Sequence, residues 1–88
     1  MAYRLPSDTA NAVVSALIRG ISEARLAAGV SQERLAELSG VDLGVISRAE
    51  RLQRIPGMAS ILDLAIALQL DFPTLVQKAI IDGQKATS

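Results

Sequence analysis

The chain of 88 residues is long enough for one domain and contains no cysteine and no histidine, which excludes disulfide scaffolds, Cys or His metal sites and Cys-His or Ser-His catalysis. Half of its residues are apolar but only 2% are aromatic, and a core of small aliphatic side chains favours closely packed helices. Nine basic residues balance nine acidic ones, so binding to nucleic acid or membranes through bulk charge alone is not expected.

A long first helix is predicted from about residue 8 to residue 28, after a loose N-terminal arm of residues 1–7. Ser7, Asp8 or Thr9 can cap its first turn by accepting a hydrogen bond from a free backbone N–H. Gly29 can end it, because glycine readily adopts the left-handed conformation that follows a helix. Apolar residues recur at helical spacing along this segment: Val13, Val14, Leu17, Ile18, Ile21 and Ala28.

Two short helices with a tight turn between them are predicted over residues 31–50. Ser31 is suited to cap the first, Gly40 allows the turn, and Asp42 is suited to cap the second. The side chains that hold the two helices at a fixed angle are apolar or small: Leu35, Ala36, Val41, Ile46 and Ala49. This is the helix-turn-helix pattern, whose second helix enters the major groove of DNA.

Two further helices complete a compact five-helix, all-α domain. Pro56 and Gly57 break the chain before a fourth helix that is apolar nearly all round, which predicts that it is the buried centre. Asp71 is suited to cap a fifth helix with Pro73 in its first turn. Gly83 is predicted to stop this helix, which leaves residues 83–88 as a flexible tail.

An ordered set of motifs from Ile18 to Leu75 resembles the phage-repressor (Cro/CI, Xre-type) helix-turn-helix family. It consists of R-x-x-x-G at 25–29, SQERLA at 31–36, G-V-D at 40–42 and I-S-x-x-E at 46–50. E-R-x-x-R-x-P at 50–56 and LAIAL at 64–68 look like the controller proteins of restriction–modification systems and mobile elements. The resemblance implies a bundle of the lambda-repressor type and a sequence-specific regulator, repressor or controller, that binds double-stranded operator DNA.

The family pairs residues at the positions of Arg25 and Glu50, so the resemblance implies a partly buried ion pair between the first and third helices. Breaking such a pair could cost several kcal/mol. Two solvated charges are the alternative.

The resemblance also implies a DNA-binding surface. Gln32 matches a position that holds a phosphate, and Arg51 and Arg54 match positions that contact the DNA backbone. A surface glutamine and an ordinary solvated face are the alternatives. The residues expected to face the groove come from the third helix and its cap: Asp42, Leu43, Gly44, Ser47 and Arg48. Arg48 is suited to bind guanine O6 and N7.

The third helix departs from the family pattern. Related controllers usually carry polar or basic side chains where this chain has Leu43, Gly44 and Val45. If the chain binds DNA, few direct base contacts and a contribution from DNA shape are therefore expected. The alternative is a helix-turn-helix scaffold that binds a protein partner, as an anti-activator or antitoxin would, with Leu43 and Val45 in an exposed patch.

A homodimer is expected, because family members bind two half-sites one helical turn apart. The interface is predicted on the fifth helix, whose apolar residues exceed what a small core needs: Leu75, Val76, Ala79 and Ile80. The first helix, with Val13, Val14 and Leu17, is a second candidate. Ordinary core packing is the alternative for both helices.

An enzyme is not expected, because the aspartates are scattered and no phosphate-binding glycine loop is present. No cofactor is expected, and no metal ion either, because a site built from isolated aspartates would be weak. No membrane contact is expected, since no apolar run reaches the length of a membrane span. The N-terminus lacks the features of a signal peptide, which favours a cytoplasmic protein.

Overall fold

The computed structural model describes residues 7–87. This part of the chain folds into five α-helices and no strands, as predicted: α1 is Asp8–Ala27, α2 is Gln32–Ser39, α3 is Leu43–Glu50, α4 is Met58–Ala67 and α5 is Phe72–Thr87. Residues 1–6 of the predicted arm lie outside the described residues, and Ser7 is the N-cap of α1.

Polar side chains cap four of these helices at the positions expected from the sequence. Ser7, Ser31 and Asp42 accept hydrogen bonds from backbone N–H groups in the first turns of α1, α2 and α3. Asp71 accepts a hydrogen bond of 2.8 Å from the Thr74 hydroxyl at the start of α5. Each cap lies beside the first backbone N–H groups of its helix, which have no acceptor within the helix.

Left-handed residues follow four of the helices, and only two of them are glycines. Gly29 and Gly40 have φ values of 70° and 75°, whereas Leu52 and Gln69 have φ values of 57° and 56°. The N–H groups of Gln53 and Leu70 bond back to the carbonyls of Arg48 and Ala65, five residues earlier. These bonds complete the reverse turn that ends α3 and α4, and they hold two side-chain-bearing residues in a costly conformation.

The long helices α1 and α5 pack antiparallel along most of their lengths. The hydroxyls of Thr9 and Thr87 are 3.0 Å apart at one end. At the other end a Cβ atom on Gly20 would lie 2.8 Å from Leu75 Cδ1. The two termini of the described chain are therefore held side by side.

The prediction of a flexible tail over residues 83–88 is wrong as far as Thr87, because α5 continues through Gly83. Gly83 is buried, and a Cβ atom there would lie 2.7 Å from the Cα atom of Val13. The glycine is a contact point between two helix backbones, and its lack of a side chain serves packing and not helix termination.

The prediction that α4 is buried on all sides is also wrong. Ile61, Leu64 and Ala65 face the core. Met58, Leu62 and Ile66, spaced four residues apart, lie along another side that is exposed, and 70% of Ile66 is exposed. No helix in the described part of the chain covers that side of α4. We name Met58, Leu62 and Ile66 the α4 apolar face.

No single helix within residues 7–87 is both long and apolar enough to cross a membrane. Taken together, α4 and α5 have the necessary length and composition, but the chain bends by 118° between them.

Candidate nucleic-acid interface

The relative position of α2 and α3 is fixed by the most deeply buried side chains of the described chain. Leu35 of α2 and Ile46 of α3 are almost completely enclosed, and Val41 of the turn joins the same cluster. The turn is closed by Gly40 in the left-handed conformation and by a hydrogen bond of 3.1 Å from the Val41 N–H to the Ser39 hydroxyl. This packing holds α3 at the surface with one long side facing outward.

An ion pair connects α3 to α1. Arg25 Nε donates to Glu50 Oε2 at 2.7 Å, and Arg25 Nη2 donates to Oε1 of the same carboxylate at 2.8 Å. The two side chains are only 10% and 13% exposed. Arg25 Nη1 also donates to the Val30 carbonyl at 2.8 Å. This geometry ties together α1, the loop before α2, and the last residue of α3.

Two neutral donors complete the shell of the Glu50 carboxylate. The Ser22 hydroxyl and Gln32 Nε2 each lie 3.1 Å from Oε1. Burial alone would raise the pKa of Glu50, but the hydrogen bonds from Arg25, Gln32 and Ser22 together hold it below its ordinary value. The hydrogen bond to Glu50 raises the pKa of Arg25. Both groups are therefore charged at neutral pH.

The position of Gln32 differs from the simple surface side chain considered above. One of its amide hydrogens is directed at Glu50, which leaves the second as a donor. Sequence reasoning did not anticipate this contact, since nothing in the spacing of Gln32 and Glu50 indicates it.

The residues predicted to face the DNA groove lie in or next to the outward side of α3. Asp42, Leu43 and Arg48 are exposed, whereas Gly44 and Ser47 are half-buried. Arg51 and Arg54 follow α3 and are exposed. Arg51 Nε donates to the Ser47 carbonyl at 3.3 Å. Seven of the eight predicted residues thus lie along α3, at its N-cap or in the segment that follows it, and Gln32 lies on α2, where it contacts Glu50 at the end of α3.

The positive charge of residues 44–57 is more exposed than the sequence of this segment suggests. Residues 44–57 contain three arginines and one glutamate. Glu50 is turned inward to Arg25, while Arg48, Arg51 and Arg54 point to solvent. Among residues 7–87 none of these three arginines has a carboxylate within salt-bridge distance. We name Arg48, Arg51 and Arg54 the arginine surface.

The expectation that Val45 belongs to an exposed patch with Leu43 is wrong. Val45 is half-buried and packs against the core cluster. Leu43 is 38% exposed and stays at the surface. The reason is the helical spacing, which places Val45 beside Ile46 and Ala49 on the inward face.

The four residues predicted to form a dimer interface on α5 do not share one exposed face. Ala79 is buried in the core cluster, and Leu75 and Val76 are half-buried against it. Only Ile80 is exposed. Of the second candidate interface, Leu17 is buried and Val13 packs against the core. Most of these side chains cover the core of a single copy.

Sequence reasoning missed the α4 apolar face. Its residues recur every fourth position, a spacing that places them along one side of a helix. The sequence predicts Leu62 and Ile66 to be buried, because the other side of α4 is apolar too. In the described part of the chain no three acidic side chains come together as a metal site would require.

The architecture defines a helix-turn-helix protein: two short helices at a tight turn, held by a buried cluster and an ion pair, present the second helix to solvent. The profile of the helix-turn-helix family of Xre/Cro–CI type matches residues 21–75, and the chain belongs to that family. It is a family of DNA-binding regulators.

One solved structure supports the same classification. The chain is similar to the crystal structure of the wild-type restriction–modification controller protein C.Esp1396I, with 27% sequence identity and a TM-score of 0.71. The similarity covers 80% of this chain and 92% of that one. No curated protein sequence matches the chain.

Proposed function

We propose that the chain is a sequence-specific transcriptional regulator that binds an operator as a homodimer, with α3 in the major groove. The observation that carries the proposal is the arginine surface, which lies on the outward side and just beyond the end of α3. Arg48 is placed to contact base edges, while Arg51 and Arg54 are placed to contact phosphates. The proposal includes a cytoplasmic location, as expected from the N-terminal sequence.

The hydrogen-bond donors at the start of α2 also support this function. The first backbone N–H groups of a helix have no partner inside the helix and favour anions. Gln32 lies in this turn and keeps one amide hydrogen after its bond to Glu50. In this proposal Glu50 orients Gln32, so that its second amide hydrogen reaches a phosphate while α3 occupies the groove.

The proposed dimer is formed through exposed apolar surface. The α4 apolar face is the best site, because its three side chains are contiguous and lack a cover among the described residues. Ile80 on α5, from the interface predicted from the sequence, is the competing site. Ile66→Glu should convert dimers to monomers in analytical ultracentrifugation, and Ile80→Glu should not. The reverse result would place the interface on α5.

Operator binding is tested by titrating a labelled fragment of the DNA upstream of the gene in the presence of random competitor DNA. We expect binding that resists the competitor and weakens in Arg48→Ala. Arg19→Ala is the matched control, since Arg19 is an exposed arginine on α1, along the groove between α1 and α5. Binding no stronger than to random DNA would contradict the proposal.

A second candidate function is binding to a protein partner in place of DNA. It is favoured by exposed apolar side chains on the helix-turn-helix and just after it, namely Leu38, Leu43, Leu52 and Ile55. Capture of one host protein by the wild-type chain, lost in Leu43→Asp and Ile55→Asp but kept in Arg48→Ala, would support this function over operator binding.

A further inference from the structure

Because Gly44 has no side chain, two groups of opposite charge approach the same point on the outward side of α3. A Cβ atom on Gly44 would lie 2.9 Å from Asp42 Oδ2. The same atom would lie 3.4 Å from Nη1 and 3.5 Å from Nη2 of Arg48. The carboxylate and the guanidinium therefore flank one point on the helix surface, and both side chains are exposed.

Each of the two groups keeps hydrogen-bonding capacity. Asp42 Oδ2 accepts one hydrogen bond, from the Gly44 N–H at 2.9 Å. A carboxylate can accept about four, so acceptor sites remain. Arg48 has no salt bridge within residues 7–87 and offers a planar set of donors.

We propose that Asp42, Gly44 and Arg48 form a single recognition site for one G·C base pair in the major groove. Arg48 donates to guanine O6 and N7, and Asp42 accepts from the N4 amino group of the paired cytosine. Gly44 is the specificity-determining position, because a Cβ atom there would lie 2.9 Å from Asp42 Oδ2 and 3.4 Å from Arg48 Nη1 and would displace the carboxylate, the guanidinium or both. The inference rests on the proposed operator binding and states which base pair α3 recognises.

The complementarity also explains an acidic residue on a DNA-binding face. A carboxylate near DNA phosphates is repelled by their negative charge. The Asp42 carboxylate is stabilised in this proposal by the positive charge of the Arg48 guanidinium and by a hydrogen bond from the cytosine amino group. Across the major groove a G·C pair presents two acceptors and then a donor, an A·T pair presents an acceptor, a donor and an acceptor, and a C·G pair presents the reverse of the G·C order. The site thus discriminates against A·T and against the inverted C·G pair.

The test is selection of binding sites from randomised DNA by the full chain and its variants. Wild type should select a G·C pair at one position of each half-site, and Gly44→Ala should lose about ten-fold of that discrimination with other positions unchanged. Asp42→Asn keeps the helix cap and should weaken the preference at the same position. Arg48→Gln should shift it toward A·T, because glutamine pairs with adenine.

Gly57→Ala is the matched control, since a Cβ atom on Gly57 meets nothing within 4 Å. Thermal unfolding of each variant checks that the fold is kept. If wild type selects a motif and Gly44→Ala selects the same motif with the same stringency at every position, the inference is wrong while operator binding stands. If wild type selects no motif at all, the proposed function itself has failed.

Discussion

Replacing Glu50 with glutamine removes the charge from the buried carboxylate and leaves its shape nearly unchanged. The carboxylate accepts four hydrogen bonds, two of them from Arg25. Glutamine keeps one acceptor oxygen but directs an amide N–H₂ group at a donor, and Arg25 remains charged with the Val30 carbonyl as its other partner. Leaving one member of a buried ion pair without its partner costs about 3–5 kcal/mol. The retained oxygen places Glu50→Gln near the lower end, at about 3 kcal/mol.

The matched control is Glu37→Gln. Glu37 pairs with Arg34 at 3.0 Å, but these side chains are 67% and 59% exposed, so solvent screens their attraction. An exposed pair of this kind contributes about 0.5 kcal/mol or less. Urea unfolding followed by circular dichroism at 222 nm measures both losses. Equal losses in Glu50→Gln and Glu37→Gln would refute the view that the Arg25–Glu50 pair is a main tie between α1 and α3.

The same pair predicts how stability depends on pH. The pKa of Glu50 is lower in the folded chain than its ordinary value of 4.5. Its contribution is therefore fully present above pH 4.5 and is lost as the pH falls through the folded-state pKa. The difference in unfolding free energy between wild type and Glu50→Gln should be constant from about pH 6 to 8 and shrink below about pH 4. A difference that stays constant at acidic pH would contradict this assignment.

Three further predictions concern the fold. Gln69→Gly should stabilise the chain by about 0.5–1 kcal/mol, because glycine adopts the left-handed conformation of residue 69 without steric cost. Gln77→Gly within α5 should destabilise the chain by a similar amount. Thermal unfolding measures both effects, and a loss of stability in Gln69→Gly would contradict the first prediction. Gly83→Ala should cost about 1–3 kcal/mol despite its better helix propensity, since Val13 leaves no room. Gly57→Ala, where a Cβ atom meets nothing within 4 Å, should cost less, about 0.5–1 kcal/mol from the poorer N-cap of α4. Hydrogen exchange should show protected amides in α5 beyond Gly83, and rapid exchange throughout residues 84–87 would speak for a frayed end.

Most of the fold follows from signals that act locally along the chain. Serine and aspartate at helix starts, glycine at Gly29 and Gly40, and apolar periodicity locate four of the five helices within a few residues. The errors arise where a residue type has two physical uses. Gly83 was interpreted as a helix stop, but it allows two backbones to approach, a fact that depends on Val13, distant in sequence.

The candidate site likewise combines features that the sequence predicts with features that depend on contacts between distant residues. The positions of Arg48, Arg51 and Arg54 at the surface follow from helical spacing and from polarity. The Gln32–Glu50 hydrogen bond and the approach of Asp42 and Arg48 to one point beside Gly44 depend on side-chain positions that no sequence pattern fixes. The α4 apolar face escaped prediction because an apolar residue on a helix of a small domain has the same signature whether it meets the core or solvent.

The arginine surface as a DNA-binding site is tested most directly by measuring affinity for operator and random DNA over a series of salt concentrations. Wild type should prefer the operator. Arg48→Ala should lower the ratio of the two affinities by about ten-fold. Arg54→Ala should weaken binding to both DNAs alike, keep the ratio, and reduce the salt slope by about one. Equal affinities of the wild-type chain for the two DNAs would contradict the proposed operator binding. Affinities that are the same in wild type, Arg48→Ala and Arg54→Ala would contradict the role of the arginine surface.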